Sequence, residues 1–238
     1  MEDNTCHDSN DVNYSHKFVF KLEKSFMKTA FYTLIFLILI EAIAYYGFFR
    51  NIPNFFNKYS YYIIFLVISI VINSLAVWHI KAYKHSFSHM NGMMIGMTIG
   101  MSSGFSIGLV IGATNGMFIG SLIGIIIGML VGSYVGNCCG IMGIMEGMMA
   151  GLMGGLMGAM TSVMALNDNL KFLVPILIFS MLIIIIGLLY MVYNEEIKNK
   201  TEIHYKGFEL FPFITINFMI TLGLTFLMVY GPRSFLFG

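Results

Sequence analysis

A glycine recurs at every fourth residue from Gly92 to Gly140, thirteen times in succession. This first part of the glycine row consists of Gly92, Gly96, Gly100, Gly104, Gly108, Gly112, Gly116, Gly120, Gly124, Gly128, Gly132, Gly136 and Gly140. Past Cys138 and Cys139 the row shifts back by one residue and continues as Gly143, Gly147, Gly151, Gly155 and Ala159, with Gly154 and Gly158 between them. Small residues at this spacing let helix backbones approach closely in lipid. The row therefore predicts tightly packed membrane helices.

Composition supports a membrane protein. Hydrophobic residues make up 58% of the chain and charged residues 11%, which is outside the range of soluble domains. The net charge is +1 and no basic run is present, which argues against a nucleic-acid partner and leaves the lipid bilayer as the expected one.

Seven apolar runs are long enough to span a bilayer, which needs roughly 20 residues. They cover 29–49, 59–78, 90–112, 116–136, 140–166, 172–193 and 211–230. We therefore predict an all-α polytopic protein with a polar cytoplasmic tail (1–28), a two-helix segment (29–80), a Gly/Met-rich three-helix core (90–166) and two C-terminal helices (171–193 and 211–230).

The polar residues of the core predict where one span ends and the next begins. Asn115-Gly116 and the segment 137–140 separate three spans joined by very short turns, so neighbouring spans are expected to be antiparallel. Pro175 and Pro212 are expected in the first turns of the last two spans, where proline is tolerated.

Orientation follows from the distribution of Lys and Arg near the span ends. With the N-terminus inside, nine such residues lie on the inner side and four on the outer side. The polar start predicts no cleaved signal peptide. Few Ala and Arg beside abundant Ile, Asn and Lys is typical of an AT-rich genome, so we expect a bacterial plasma membrane.

The glycine row also predicts packing geometry. A step of four residues turns about 400° on a helix of 3.6 residues per turn, so the row drifts about 40° per step. One row should then meet different neighbours at its two ends, with right-handed crossings. Packing without chemistry explains the glycines fully.

Methionine is the second signal, with fifteen of the 21 between Met90 and Met164. Several recur at four-residue spacing, which stacks thioethers on one helix face. Thioethers select soft metal ions such as Cu(I). The candidate metal path comprises Met93, Met97, Met101, Met145, Met149 and Met153. The alternative is that these methionines fill gaps around irregular glycine surfaces.

Further candidate ligands gather on the predicted inner side. They are His85, His89, Cys138 and Cys139, which would form an inner mouth. A headgroup-facing loop explains the histidines equally well. Spacings typical of structural zinc are absent from the sequence.

Two acidic residues, Glu41 and Glu146, fall inside spans, where a carboxyl is costly and usually functional. Glu146 is the predicted charge partner of a cation or a proton relay. The alternative for each is a neutral acid bonded to a neighbouring helix. The sequence lacks nucleophile, phosphate-loop and dinucleotide motifs, so we predict that the protein is not an enzyme.

The segment from Met145 to Met160, MEGMMAGLMGGLMGAM, together with the row before it, resembles Gly/Met-rich membrane modules of Bacillus-type bacteria. Some relatives of that kind are joined to cupredoxin-like copper domains, and no such domain follows here. The repeated MxxxM and GxxxG are also similar to the copper-transporter family. Both resemblances imply copper handling.

Three functions follow from these observations. The first is transport or membrane-side handling of a soft cation, Cu(I) first, with copper as the one cofactor or cargo to expect. The alternative is a structural or accessory protein whose glycine zipper drives helix packing and assembly, including a homo-oligomer. A channel for a hard ion ranks last because the core offers few oxygen ligands.

Overall fold

The computed structural model describes residues 28, 31–42, 55–82, 89–137, 140–165, 170–199 and 210–231. Over these ranges the chain forms α-helices and no strand. In chain order the helices are α1 (Phe31–Ala42), α2 (Phe55–Ala82), α3 (His89–Asn115), α4 (Met117–Gly136), α5 (Gly140–Met164), α6 (Leu170–Asn199) and α7 (Leu210–Tyr230). The predicted all-α, polytopic membrane architecture is confirmed.

Helices α2 to α7 are each long and apolar enough to cross a membrane. Helix α1 is shorter over its described part, and the rest of the predicted first span, 43–49, lies outside the described residues. The predicted tail, 1–28, also lies outside them except for residue 28.

Glycines with positive φ mark the two breaks in the Gly/Met-rich segment. Gly116 has φ of 96° and separates α3 from α4, and Gly140 has φ of 76° at the start of α5. Residues with a Cβ atom rarely adopt a positive φ, so glycine is favoured at both positions. Gly116, which the sequence groups with the packing glycines, thus lies outside the helices.

One expected helix start was wrong. Helix α6 begins at Leu170, so Pro175 lies inside the helix and not in its first turn. The predicted span began two residues later and ended at 193, whereas α6 continues to Asn199. Helices in lipid tolerate proline because neighbouring groups can satisfy the freed backbone carbonyl.

The glycines of α3, α4 and α5 meet in five glycine layers, each with one residue from each helix. The layers are Gly96–Gly136–Gly143, Gly100–Gly132–Gly147, Gly104–Gly128–Gly151, Gly108–Gly124–Gly155 and Gly112–Gly120–Ala159. Residue numbers rise together on α3 and α5 and fall on α4. Helices α3 and α5 are therefore parallel, and α4 is antiparallel to both.

The backbones in these layers are in contact. A Cβ atom added at Gly100 would lie 2.6 Å from the Gly147 carbonyl oxygen and 3.1 Å from the Gly132 Cα. At Gly124 it would lie 2.9 Å from the Gly155 Cα. Real Cβ atoms essentially never lie within 3.0 Å of such atoms, so a larger residue in a layer forces the helices apart.

The expectation that one glycine row meets different neighbours at its two ends was wrong. The α3 row faces both α4 and α5 from Gly96 to Gly112. A row of period four drifts around a straight helix, so the three helices must coil around each other to keep it facing the same neighbours. A period longer than 3.6 favours right-handed coiling.

Helices α2, α6 and α7 surround α3. The C-terminal half of α2 packs on the N-terminal half of α3 through Ala76, Ile80, Ile95 and Ile99. The N-terminal half of α2 packs on the C-terminal half of α3. The two helices are therefore antiparallel. The ring of Trp78, near the end of α2, lies 5.8 Å from that of Phe213, near the start of α7. The N-terminal half of α6 packs on the C-terminal half of α3. The C-terminal half of α6 packs on the N-terminal half of α3, so these two helices are also antiparallel. Directions thus alternate from α2 to α7.

Candidate metal-binding surface

The axis shared by α3, α4 and α5 holds no ion path between Gly96 and Gly112. In every layer the three backbones lie closer than the width of one added methyl group. Any chemistry in this part of the molecule must therefore take place on the outer faces of the three helices.

A second pair of glycines fixes the register of α5 against α3. A Cβ atom at Gly154 would lie 3.0 Å from the Met101 Cα, and one at Gly158 would lie 2.9 Å from the Leu109 nitrogen, beside the Phe105 carbonyl. Helix α5 packs through two adjacent faces. One face carries the glycines of the layers, and the other carries Gly154 and Gly158, which contact α3 alone.

The same register brings Glu146 toward α3. Residues at four-residue spacing before Gly154 are Ala150 and Glu146. Continued by two turns along these parallel helices, the pairing of Gly154 with Met101 predicts that Glu146 lies at the level of Met93. Glu146 is half-buried and lies one turn from the first glycine layer.

We define the α3–α5 seam by Met93, Met97 and Met101 on α3 and by Glu146, Ala150 and Gly154 on α5. The α3 side of the seam is itself a methionine row, and a second methionine row follows the seam on α5. On α5, the residues immediately before the three seam positions are Met145, Met149 and Met153. Their side chains are 56–62% exposed, whereas Met97 and Met101 are 46% and 38% exposed and Met93 is half-buried. Both rows therefore lie on the outer surface of the three-helix core.

The predicted inner mouth falls largely outside the described residues. His85, Cys138 and Cys139 lie there, and of His89 only the helical backbone is described. The helix ends that flank them, at Ala82, His89, Gly136 and Gly140, lie at the same end of the bundle as the layer Gly96–Gly136–Gly143. Within the part of the chain that the structure describes, no three His, Cys, Asp or Glu side chains gather as a metal site. Among the described residues, methionine thioethers are the sulfur ligands.

Lys81 marks this same end of the bundle. Its Nζ atom donates a hydrogen bond of 2.9 Å to the Tyr134 hydroxyl and lies 5.6 Å from the centre of the Trp78 ring. A lysine held between two interfacial aromatic rings is typical of the boundary between hydrocarbon and headgroups.

A buried hydrogen-bond network between α2 and α3 was not predicted. Asn73 accepts a bond of 2.8 Å from the Ser102 hydroxyl and donates bonds of 3.3 Å to Ser106 Oγ and 2.9 Å to the Ser69 carbonyl. All of its hydrogen-bonding groups have partners. The sequence signal was present as the polar residues Ser69 and Asn73 of α2 and Ser102 and Ser106 of α3, but their pairing depends on the register of two helices.

A second polar group joins α1, α2 and α7. Thr225 Oγ1 lies 2.7 Å from Glu41 Oε1, and Asn217 donates a bond of 3.0 Å to Ser74 Oγ. Asn217 is fully buried, and its Oδ1 atom has no hydrogen-bond partner among the described residues. The detectable signal was the four-residue spacing of Asn217, Thr221 and Thr225 in α7.

Comparison with known proteins gives no relative: no family model, curated protein or solved structure matches this chain.

Proposed function

We propose that this protein binds a soft metal cation, Cu(I) first, and passes it along the methionine rows of the α3–α5 seam. The observation that supports this most is the parallel alignment of α3 and α5. From it we infer that Met97 and Met101 of one helix run along the same seam as the exposed row Met145, Met149 and Met153 of the other. Thioether sulfur binds soft cations, and successive ligands one turn apart would allow transfer from one sulfur to the next.

Glu146 supplies the matching charge in this proposal. A single cation in the hydrocarbon region is costly unless a partner of opposite charge is close. Cu(I) carries one positive charge, and an ionised Glu146 beside Met93 would make the pair neutral. His85, His89, Cys138 and Cys139 would deliver or receive the ion at the adjacent end of the bundle.

We assign the protein to a bacterial plasma membrane with its N-terminus in the cytoplasm. The alternating directions of α2 to α7 support a simple serpentine path, to which the excess of nine Lys and Arg over four applies directly. Reporter fusions after Ala82 and after Asn115 test this: the first should be active as a cytoplasmic reporter and the second as an external one. The opposite pattern would reverse the orientation.

A second candidate function is that of an accessory protein whose outer face docks a second copy or another membrane protein. The exposure of Met145 and Met149, at 61% and 62%, favours it, because methionine adapts well to irregular partner surfaces. In this alternative the glycine zipper serves only to hold the helices for assembly.

Matched methionine triples on α5 separate the two functions. The first variant changes Met145, Met149 and Met153 to Leu, and the control changes Met148, Met160 and Met164, which are also exposed but lie on a different face. Full-length protein in detergent is titrated with Cu(I) against a chromogenic chelator. We expect the first triple to lose most of the bound Cu(I) and the control to keep it.

Copper tolerance of cells that express the same variants gives the second readout. Metal handling requires that the first triple changes tolerance and the control does not. If the wild-type protein binds no Cu(I) and both triples leave tolerance unchanged, the metal function is wrong. Loss of self-association by the first triple, with self-association retained by the control triple, would then support the accessory function.

A further inference from the structure

One face of α3 is exposed near the start of the helix and covered near its end. Along this face, the α3 stripe, the exposed fraction falls from 72% at Met90 to 38% at Met101, and it is at most 9% at Phe105, Leu109 and Ala113. The stripe consists of Met90, Met94, Met97, Met101, Phe105, Leu109 and Ala113, which are three or four residues apart. Its methionine part is therefore open, and the remainder is closed.

Helix α6 covers only the closed part of the α3 stripe. Its N-terminal half packs in one cluster with Phe105, Leu109 and Ala113. Its C-terminal half packs instead in a cluster with Ile95 and Ile99, which lie on a different face of α3. On the other side, Gly158 of α5 contacts the backbone at Phe105 and Leu109. The two helices α5 and α6 thus close the stripe beyond Met101.

The sulfur ligands of α3 end at the same level. Met101 is the last methionine of α3, and its backbone contacts Gly154, the residue after Met153. Of the two helices of the α3–α5 seam, only α5 has methionines beyond this level. An ion that moved past Met101 would therefore lose its ligands from α3.

The acidic residue of the seam lies towards the open end. Glu146 is the one acidic residue in the sequence of α3, α4 and α5, and the helix register predicts that it lies at the level of Met93. Eight residues, or about 12 Å along a helix, separate it from Gly154. A cation in hydrocarbon is costly without an opposite charge nearby. A cation in the seam is therefore stabilised most towards the end where α3 begins.

We propose that the α3–α5 seam exchanges its metal ion at one end only, the end where α3 begins. This inference rests on the proposed Cu(I) function and narrows it: the protein takes up and returns Cu(I) at one face of the membrane and does not carry it across. Met90 and Met94, the most exposed residues of the α3 stripe, are the entry ligands. The protein then acts as a membrane-bound store of Cu(I), and with the orientation assigned above the exchanging face is the cytoplasmic one.

Release of bound Cu(I) to a chelator that cannot cross membranes tests the proposal. Full-length protein is loaded with Cu(I) and reconstituted in both orientations into liposomes, whose sealing is verified with an entrapped dye. Protease cleavage of an N-terminal tag measures the fraction of protein in each orientation. Bathocuproine disulfonate added outside should remove only the copper of one orientation, and detergent should release the rest.

The outcomes separate this proposal from the metal function itself. Removal of all copper from sealed liposomes would overturn exchange at one end while leaving Cu(I) binding intact. Wild-type protein that binds no Cu(I) would refute the proposed function, and the inference with it.

Two pairs of methionines at opposite ends of the bundle provide matched variants. Met90→Leu with Met94→Leu removes the entry ligands and should slow the release of Cu(I) severalfold. Met160→Leu with Met164→Leu changes the far end of α5 and should leave the rate unchanged. All four side chains are exposed, so both double variants should fold. Slower release from the second pair, or equal rates in both variants and the wild type, would contradict exchange through the open end of the α3 stripe.

Discussion

The three glycine-rich helices and the helices around them are held together in different ways. In the glycine layers of α3, α4 and α5, backbone meets backbone, and an added Cβ at Gly104 would lie 2.7 Å from the Gly151 carbonyl oxygen. At the contacts of α2 with α3 and of α1 with α7, side chains do the bonding, as in Asn73 with Ser102 and Glu41 with Thr225.

This difference separates packing from chemistry. Lipid tails are as apolar as leucine, so helices in a bilayer associate by close packing or by hydrogen bonds. The glycine layers use the first means and leave no room for a ligand. The outer helices use the second and bring buried polar groups together, while the methionines lie on the outside of the packed core.

Leucine in a central glycine layer should have the largest effect. Gly128→Leu would drive a side chain into the backbone of Gly151 and Gly104, so we expect little or no folded protein in detergent. Gly187→Leu on α6 is the matched control, since a Cβ atom there meets nothing within 4 Å. Size-exclusion chromatography measures the folded fraction, and equal yields for the two variants would contradict the layered packing.

Removal of the buried amide between α2 and α3 should have the next largest effect. Asn73→Leu leaves Ser102 and Ser106 without their interhelical partner, and hydrogen bonds between membrane helices contribute about 0.6 to 1.7 kcal/mol each. We expect the free energy of unfolding to fall by about 1 kcal/mol in a detergent denaturation series. Ser133→Ala is the control, because Ser133 bonds only its own helix at the Leu130 carbonyl in the described structure.

The contact between α1 and α7 should be weaker than the amide network. Thr225→Val removes the partner of Glu41 and is expected to lower the free energy of unfolding by about 0.6 kcal/mol, the average for such bonds. Thr161→Val serves for comparison, since the Thr161 hydroxyl donates within its own helix to Met157. If both variants lose the same stability, the interhelical bond contributes nothing.

The smallest effect on stability is expected from the methionines of the α3–α5 seam. Met145, Met149 and Met153 are exposed, so their joint change to Leu exchanges one apolar surface for another and should leave the unfolding midpoint unchanged. Thermal unfolding followed by circular dichroism tests this. A large loss of stability would mean that these side chains pack as core residues.

Much of the fold could be predicted because the bilayer limits the choices. Apolar runs located α2 to α7 within a few residues, and the polar breaks at Asn115-Gly116 and around Gly140 located the turns. The main exception, Pro175, arose because α6 begins at Leu170, where hydrophobicity alone does not mark the first residue of a helix.

Contacts between helices were harder to predict. The periodicity of the glycine row was visible, but the coiling that keeps Gly96 to Gly112 facing two neighbours is a property of three helices together. The partners of Glu41 and Asn73 were also hidden, because Thr225 is 184 residues from Glu41 and Ser102 is 29 residues from Asn73 along the chain. The functional meaning of the methionine rows stays a prediction.

X-ray absorption at the copper edge on Cu(I)-loaded, full-length protein tests the metal proposal most directly. The account predicts a first shell of sulfur alone in the wild type and in the control triple at Met148, Met160 and Met164. It also predicts that the Leu variant of Met145, Met149 and Met153 loses this sulfur signal. A shell of nitrogen and oxygen, or the same sulfur signal in both triples, would contradict it.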